Sequence, residues 1–152
     1  MAVSRPRYKA KKQRRGGKFQ RGFYRPINED KYRQPQDRTM NSGMYPEYRS
    51  SWELAFYRWC DNSDTIEFWG TESFAIRYLS PKDNAFHRYY VDIVLMMKTG
   101  QKHLIEIKPK AQCNDPVNLA KWAAARDYCA QIGAIFSVVT EVELKKWGLI
   151  KK

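Results

Sequence analysis

The chain has 152 residues, of which 43% are hydrophobic, and it carries a formal net charge of +12. This length allows one domain with a single sizeable core, and the sequence has no apolar run near the ~20 residues that a transmembrane helix needs. The three cysteines include no Cys-X-X-Cys pair, which argues against a disulfide framework or a zinc knuckle and fits a reducing compartment. We therefore expect a soluble protein with one folded domain.

Most of the positive charge lies in residues 1–25, which contain ten Lys or Arg and no Asp or Glu. Such an arm buries too little apolar surface to offset its ordering entropy, so we expect it to be disordered on its own. Cations interleaved with aromatic residues suit phosphates and stacked bases, which predicts nucleic-acid binding. The predicted contacts are Arg5, Arg7, Lys9, Lys11, Lys12, Arg14, Arg15, Lys18, Arg21 and Arg25. A solubilising tail or a membrane-surface or targeting segment is the alternative, and the latter two require an apolar helical face that the arm lacks.

Residues 26–49 contain three prolines among Tyr and Arg, which is typical of an extended, irregular segment leading into a domain. The domain itself is predicted to span residues 50–152. Its first helix begins at Ser50, because Ser50 and Glu53 have the Ser-X-X-Glu form of a capping box, and it runs to Asp61. Apolar residues at helical spacing predict that this helix packs on a sheet.

Two runs with strand character follow, at residues 65–69 and 74–79, and a hairpin is predicted over residues 86–110. We expect these strands to form one sheet. A strand over residues 134–140 and a short helix capped by Thr140 come last. The order α-β-β-β-β-α-β-α predicts an α/β fold with a mixed, mostly antiparallel central sheet flanked by helices.

A long helix is predicted between the hairpin and the last strand. It begins at the cap Asp115 and ends at Gly133. Lys121 and Arg126 on this helix, together with Lys110 before it, are predicted phosphate contacts. The residues predicted on its buried side are Leu119, Trp122, Ala123 and Ala130.

The predicted hairpin brings two carboxylates together. Its loop at residues 98–100 suits a three-residue turn, which pairs Met97 with Gln101. Counting outward from this pair sets Asp92 opposite Glu106 on one face of the sheet, with Cβ atoms roughly 5 Å apart. The register therefore predicts a pair of like charges on a largely apolar hairpin.

Such a pair favours a divalent cation. Each carboxylate raises the pKa of the other, and a bound cation removes the repulsion. Hard oxygen ligands suit Mg²⁺ or Mn²⁺, and the backbone carbonyl of Ile107 is a further candidate ligand. Lys108 projects from the same face as Glu106 and would help to activate water. A solvent-facing edge hairpin is the alternative, because the Asp…Glu-X-Lys spacing alone fits both interpretations equally.

Glu53 also has two interpretations. As the third residue after Ser50, it would accept a hydrogen bond from the cap amide. At the rim of the helix–sheet interface, it would also reach the carboxylate pair, and the sequence does not separate these roles. His87 and His103 are predicted to be structural, since His103 falls on the face opposite Glu106.

A helical Glu, then an Asp, then Glu-X-Lys on this order of elements resembles the restriction-endonuclease-like superfamily, also called PD-(D/E)XK, although Val91 replaces the usual Pro. Longer blocks narrow the resemblance to the head completion nucleases of tailed, T-even-like bacteriophages, over roughly residues 45–143. These blocks are Arg49-Ser50-Ser51-Trp52-Glu53, Tyr89-Tyr90-Val91-Asp92, Ile105-Glu106-Ile107-Lys108-Pro109-Lys110, Lys121-Trp122-Ala123-Ala124-Ala125-Arg126 and Val138-Val139-Thr140-Glu141. The chain also resembles transposon end-cleaving endonucleases of the same fold.

The resemblance implies a Mg²⁺-dependent DNA nuclease, with Mn²⁺ able to substitute, that acts on packaged DNA in head completion and head–tail joining. It implies catalytic roles for Glu53, Asp92, Glu106 and Lys108, and metal binding by the three acidic residues with the Ile107 carbonyl. The implied partners are double-stranded DNA and phage head or neck proteins, with no membrane. The implied location is the host cytoplasm during assembly, and the virion. A branched-DNA or transposon-end endonuclease, or a non-enzymatic DNA-binding neck protein, remains an alternative.

Overall fold

The structure is a computed structural model that describes residues 21–33, 45–72 and 75–152. The helices of these residues are α1 (Ser51–Asn62), α2 (Pro116–Ile132) and α3 (Glu141–Lys146). The strands are β1 (Gly22–Phe23), β2 (Tyr32–Arg33), β3 (Glu47–Tyr48), β4 (Ile66–Thr71), β5 (Ala75–Ser80), β6 (Ala85–Tyr90), β7 (Ile93–Met97), β8 (Lys102–Ile107) and β9 (Ile135–Val139). None of the described helices has the length and apolar character needed to cross a membrane.

Five strands form the central sheet, in the order β2-β4-β7-β8-β9. The inner pairs, β4 with β7 and β7 with β8, are antiparallel, whereas the edge pairs, β2 with β4 and β8 with β9, are parallel. The predicted α/β fold, with a mixed central sheet and flanking helices, is confirmed. Parallel pairs are as frequent as antiparallel ones in this sheet because β2, from the lead-in segment, joins its edge beside β4.

The hairpin of β7 and β8 has the predicted register. Met97 N donates a hydrogen bond to Gln101 O at 2.8 Å, and the remaining pairs follow in step. Gly100 has a φ of 90°, a left-handed conformation that glycine adopts without a steric penalty. The same register, continued outward, sets Asp92 against Glu106.

The strand predicted before this loop is in fact two strands. β6 ends at Tyr90 and β7 begins at Ile93, so Asp92 lies in a bend and not within a strand. Val91, in the same break, is fully buried and anchors the bend in the core. The chain therefore leaves one sheet and enters another at Asp92.

β5 and β6 form a separate two-stranded antiparallel sheet, which we call the ribbon. The prediction that the strand at residues 74–79 extends the central sheet was therefore wrong. The reason is burial on α2: Ile76, Tyr78 and Tyr89, on one face of the ribbon, pack in a cluster with Trp122. This face of the ribbon is buried by α2, and β5 pairs with β6 outside the central sheet.

α2 begins at the predicted cap Asp115, whose side chain accepts hydrogen bonds from two backbone N–H groups. The prediction of its buried side was wrong for Leu119, which is 48% exposed, and for Ala123 and Ala130. Because alanines lie on several faces of this helix, more than one apolar stripe has helical spacing, and contact with the ribbon decides which stripe is buried. The residues buried on α2 are Trp122, Ala125 and Cys129.

α1 contributes to a second core on the other side of the central sheet. Ser50 is its N-cap, as predicted, and the Ser50 Oγ accepts a hydrogen bond from Glu53 N at 3.2 Å. Phe56 is buried against the sheet in a cluster with Trp69 and Ile105. Successive side chains of β7 and β8 point to opposite faces of the sheet, so the hairpin packs against a cluster on each face.

Residues 21–33 lie on the folded domain. β1 pairs with β3, and β2 joins the central sheet. The carboxylate of the buried Asp61 accepts a hydrogen bond from Tyr24 Oη at 2.5 Å. The predicted boundary between arm and lead-in segment thus falls within packed chain. The predictions for residues 1–20 and 34–44 lie outside the described residues.

Candidate active site

Asp92 and Glu106 meet where the chain passes from the ribbon into the central sheet. Asp92 Oδ2 accepts a hydrogen bond from Ile107 N at 3.0 Å, which ties the bend to β8. Glu106 Oε2 accepts a hydrogen bond from Tyr89 Oη at 2.6 Å, and the charge of Glu106 acts on the neighbouring carboxyl group of Asp92. Glu106 Oε1 lies 3.7 Å from Lys108 Nζ. The structure thus brings three of the predicted site residues together.

Both carboxyl groups of this pair resist ionisation. Burial raises the pKa of Asp92 well above its usual range, and the charges of Glu106 and Glu53 raise it further. Burial also raises the pKa of Glu106, while the hydrogen bond from Tyr89 and the charge of Lys108 lower it. A bound proton or a cation stabilises such a pair, since either one reduces the repulsion.

Glu53 lies at the start of α1 in a cleft of about 620 Å³ that also contains Ile107 and Lys108. Glu53 Oε2 accepts a hydrogen bond from Arg49 N at 3.0 Å, so the side chain binds the amide one residue before the cap and not the cap amide itself. Tyr57 Oη donates to the same oxygen at 3.4 Å. Burial raises the pKa of Glu53. The residue therefore supports the helix start and also belongs to the cleft.

The donor atoms of the pair are of the type that hard divalent cations prefer. Asp92 and Glu106 present carboxylate oxygens, and a cation would offset the burial that disfavours their charged forms. Within the described ranges, no group of three His, Cys, Asp or Glu side chains is arranged to hold a metal ion. The predicted role of Glu53 as a third metal ligand stays a prediction. The backbone contact that Ile107 makes with Asp92 uses its N–H group, whereas the predicted metal role concerns its carbonyl.

Lys121 is a predicted phosphate contact whose charge reaches this site. Its Nζ lies 5.7 Å from the ring centroid of Tyr89, and its charge lowers the pKa of Glu106. Arg126 instead stacks over an aromatic ring of β9 at 5.6 Å. Lys110 is exposed just beyond β8. Of these three cations, Lys121 acts electrostatically on the carboxylate pair.

Two of the predicted contacts in the arm fall in the described part of the chain. Arg21 lies 3.3 Å from Glu47, and Arg25 lies 3.5 Å from Glu29, both in ion pairs at the surface. The other predicted contacts of the arm, at residues 5–18, lie outside the described residues. Their binding to nucleic acid stays a prediction.

The prediction that His103 lies on the face opposite Glu106 is confirmed. His103 lies opposite Leu95 in the hairpin, on the other face from Glu106, and lines an apolar groove of about 540 Å³. Burial lowers the pKa of His103. His87 Nε2 lies 2.7 Å from Asp83 Oδ2 near the tip of the ribbon.

Tyr89 and an Arg49–Glu72 ion pair are parts of the site that sequence reasoning missed. Tyr89 reaches Glu106 from a different sheet, so the contact depends on the bend at Asp92, which strand propensities did not predict. Glu72 has a φ of 46°, its carboxylate lies 3.2 Å from the Arg49 guanidinium, and its N–H donates to Asp92 O at 3.3 Å. The sequence gives no local signal for either feature, because both join segments that are distant along the chain.

Comparison with known proteins points to nucleases. Residues 63–141, slightly more than half of the chain, match the family described as TnsA-like endonuclease N terminal. The chain is also similar to the head completion nuclease of Enterobacteria phage T4, with 32% identity over 123 residues that cover 66% of this chain and 82% of that protein. The family match includes Asp92, Glu106 and Lys108, whereas Glu53 lies before its first residue.

Proposed function

We propose how this chain, a nuclease that belongs to the TnsA-like endonuclease family, acts on its substrate. It hydrolyses phosphodiester bonds of double-stranded DNA with Mg²⁺ held by Asp92 and Glu106. The observation that carries this proposal is the neighbouring carboxyl groups of Asp92 and Glu106, with raised pKa values, beside Lys108. Two carboxylates that resist ionisation on their own become a favourable ligand pair once a divalent cation removes their repulsion. Mn²⁺ is expected to substitute.

A Mg²⁺ ion at this pair would polarise a phosphate oxygen and lower the pKa of water. The chain's own residues set the geometry: Ile107 N–H fixes one oxygen of Asp92, and Tyr89 Oη fixes one oxygen of Glu106. Lys108 Nζ lies near Glu106 Oε1, the oxygen that Tyr89 does not bind, and 27% of the Lys108 side chain is exposed. Its positive charge stabilises the negative charge that develops on the phosphate during hydrolysis.

We propose Glu53 as the third acidic residue of the site, acting across the cleft through water. Mg²⁺ usually keeps several waters and takes only one or two protein carboxylates. A direct bond from Glu53 is therefore not needed for it to influence the reaction. Its charge already acts on Asp92, whose pKa it raises.

The biological setting follows from the name of the similar phage protein, a head completion nuclease. We propose that this chain acts on packaged DNA when a filled head is prepared for joining to a tail. Phage head or neck proteins would then be its partners. The host bacterial cytoplasm during assembly, and the virion, would be its locations.

Cleavage of supercoiled plasmid with Mg²⁺ or with EDTA tests this function. We expect the protein to cut with Mg²⁺ and not with EDTA. Asp92→Asn should lower the rate by more than the ~10–100-fold that loss of a residue supporting a metal ligand costs. The control is Asp127→Asn, which removes one negative charge at an exposed position of α2, away from the pair. This variant should cut at the wild-type rate.

A thermal melt without metal accompanies the assay. Asp92→Asn should melt no lower than the unchanged protein, because it removes one charge from a buried pair of like charges. Wild-type cleavage by Asp92→Asn, or cleavage in EDTA, would refute the proposed site. Much faster cutting of branched DNA than of plasmid would favour the structure-specific endonuclease instead.

A further inference from the structure

The solvent face of the ribbon carries two arginines directly opposite each other. Arg77 of β5 pairs with Arg88 of β6, and both are exposed. Like charges at directly opposed positions of an antiparallel pair are destabilising. The ribbon residues that share this face are Ala75, Arg77, Leu79, Phe86, Arg88 and Tyr90. The face contains no acidic residue.

Within the described part of the chain, no carboxylate neutralises either arginine. Arg21 and Arg49 form ion pairs with glutamates, whereas neither ribbon arginine has an ion pair there. The Arg77 guanidinium carbon instead lies 4.0 Å from the ring centroid of Phe86, which is itself 59% exposed. This stacking orients the guanidinium group without neutralising it.

The ribbon is fixed in position beside the active site. Its other face packs on α2, and the hydroxyl of Tyr89, the neighbour of Arg88, donates a hydrogen bond to Glu106. Asp92 follows Arg88 by four residues, which span at most roughly 14 Å. Since a duplex advances 3.4 Å per phosphate along one strand, this separation corresponds to on the order of four base pairs.

We propose that this exposed face binds the DNA backbone next to the phosphodiester that is cut, with Arg77 and Arg88 contacting phosphates. The inference rests on the proposed DNA nuclease function and names the surface that holds the substrate at its site. Guanidinium groups bind phosphates through two parallel hydrogen bonds, and a bound phosphate relieves the repulsion between two opposed arginines. A two-stranded ribbon also has a size that the major groove admits.

The test removes both charges and measures the salt dependence of binding. Arg77→Gln/Arg88→Gln is made in the full chain with Lys108→Ala, so that the duplex stays intact, and affinity is measured by fluorescence anisotropy at several salt concentrations. The slope of log K against log salt should shrink by about 1.8, because each phosphate contact contributes about 0.9. Affinity at 0.1 M salt should fall by roughly 10-fold or more.

The matched control is Lys151→Gln/Lys152→Gln, which removes the same charge at the exposed chain end and should leave slope and affinity unchanged. A thermal melt should show that the ribbon variant is no less stable, because a repelling pair has been removed. If that variant does not fold, Arg77→Ala alone and Arg88→Ala alone are measured, each with an expected loss of about 0.9 in slope.

Two results would overturn the proposal. The first is an equal slope and affinity for the ribbon variant and the parent protein. The second concerns Arg77→Gln/Arg88→Gln with Lys108 present, so that the protein can cut. Loss of contacts that bind the substrate and the transition state equally should raise KM and leave kcat unchanged, so an unchanged KM would overturn the proposal. Failure of the proposed function is a separate outcome: a wild-type protein that cuts no DNA refutes the nuclease site, while the salt slope still reports whether the ribbon contacts phosphate.

Discussion

Tyr89 connects the ribbon to the central sheet through a single oxygen of Glu106. Its hydroxyl remains a donor at all ordinary pH values, because burial and the Glu106 charge raise the pKa of Tyr89 far above its usual range. Together with the N–H of Ile107, it decides which carboxylate oxygens are held by the protein and which are open to a cation. At the scale of single residues, these two donors would position the carboxylate oxygens that we propose as metal ligands.

Tyr89→Phe should therefore raise the Mg²⁺ concentration needed for half-maximal cleavage by about 10-fold, because groups that support metal ligands typically change affinity by 10–100-fold. The ring and its packing on α2 remain. Tyr78→Phe, on the same buried face of the ribbon, is the control and should keep the wild-type Mg²⁺ dependence. Identical Mg²⁺ titrations for Tyr89→Phe and the parent protein would contradict the positioning role.

Glu53→Gln separates the helix-supporting role of Glu53 from its role in the site. Gln can still accept the hydrogen bond from Arg49 N, so the melting temperature should stay nearly the same. The cleavage rate should fall by roughly 10-fold or more, as for loss of a group that supports a metal centre. The control is Glu143→Gln, which alters the glutamate that caps α3 and should leave the rate unchanged. A fully active Glu53→Gln protein would leave Glu53 with a structural role alone.

At the scale of elements, local signals predicted the hairpin, its register and the N-caps of the three described α-helices. The register followed from the loop at residues 98–100, and the caps followed from Ser50, Asp115 and Thr140, because each depends on neighbours a few residues away. The division of the predicted strand at Asp92 depends on burial of Val91 in a core that distant segments build. For the same reason, the separate ribbon, the contact from Tyr89 and the buried stripe of α2 could not be predicted from local patterns.

At the scale of the whole molecule, most of the net positive charge and the proposed catalytic residues lie in different parts of the chain. Ten of the net +12 charges belong to residues 1–25, while the carboxylate pair lies where the chain passes from the ribbon into the central sheet. Electrostatic attachment to DNA and hydrolysis should therefore be separable. The packed residues from 21 onward belong with the domain, as the bond between Tyr24 and Asp61 shows.

Deleting residues 1–20 removes eight cations and leaves the packed segment in place. In the Lys108→Ala background, the slope of log K against log salt should shrink, by up to about 7 if all eight cations contact phosphates. With Lys108 present, cleavage at saturating DNA should survive the deletion. Equal slopes for the full-length and shortened proteins would mean that the arm does not contact DNA, and an acidic protein surface of the virion would then be its better partner.

The most direct test of the central claim is a crystal structure with Mn²⁺, located by its anomalous scattering. We predict an ion bonded to a carboxylate oxygen of both Asp92 and Glu106, at a distance of about 2.1 Å, as Mg²⁺ requires of its ligands. The ion should be absent from crystals of Asp92→Asn grown in the same solution. Active protein whose Mn²⁺ lies elsewhere, with Asp92 still bonded only to Ile107 and Glu106 only to Tyr89, would contradict this account of the site.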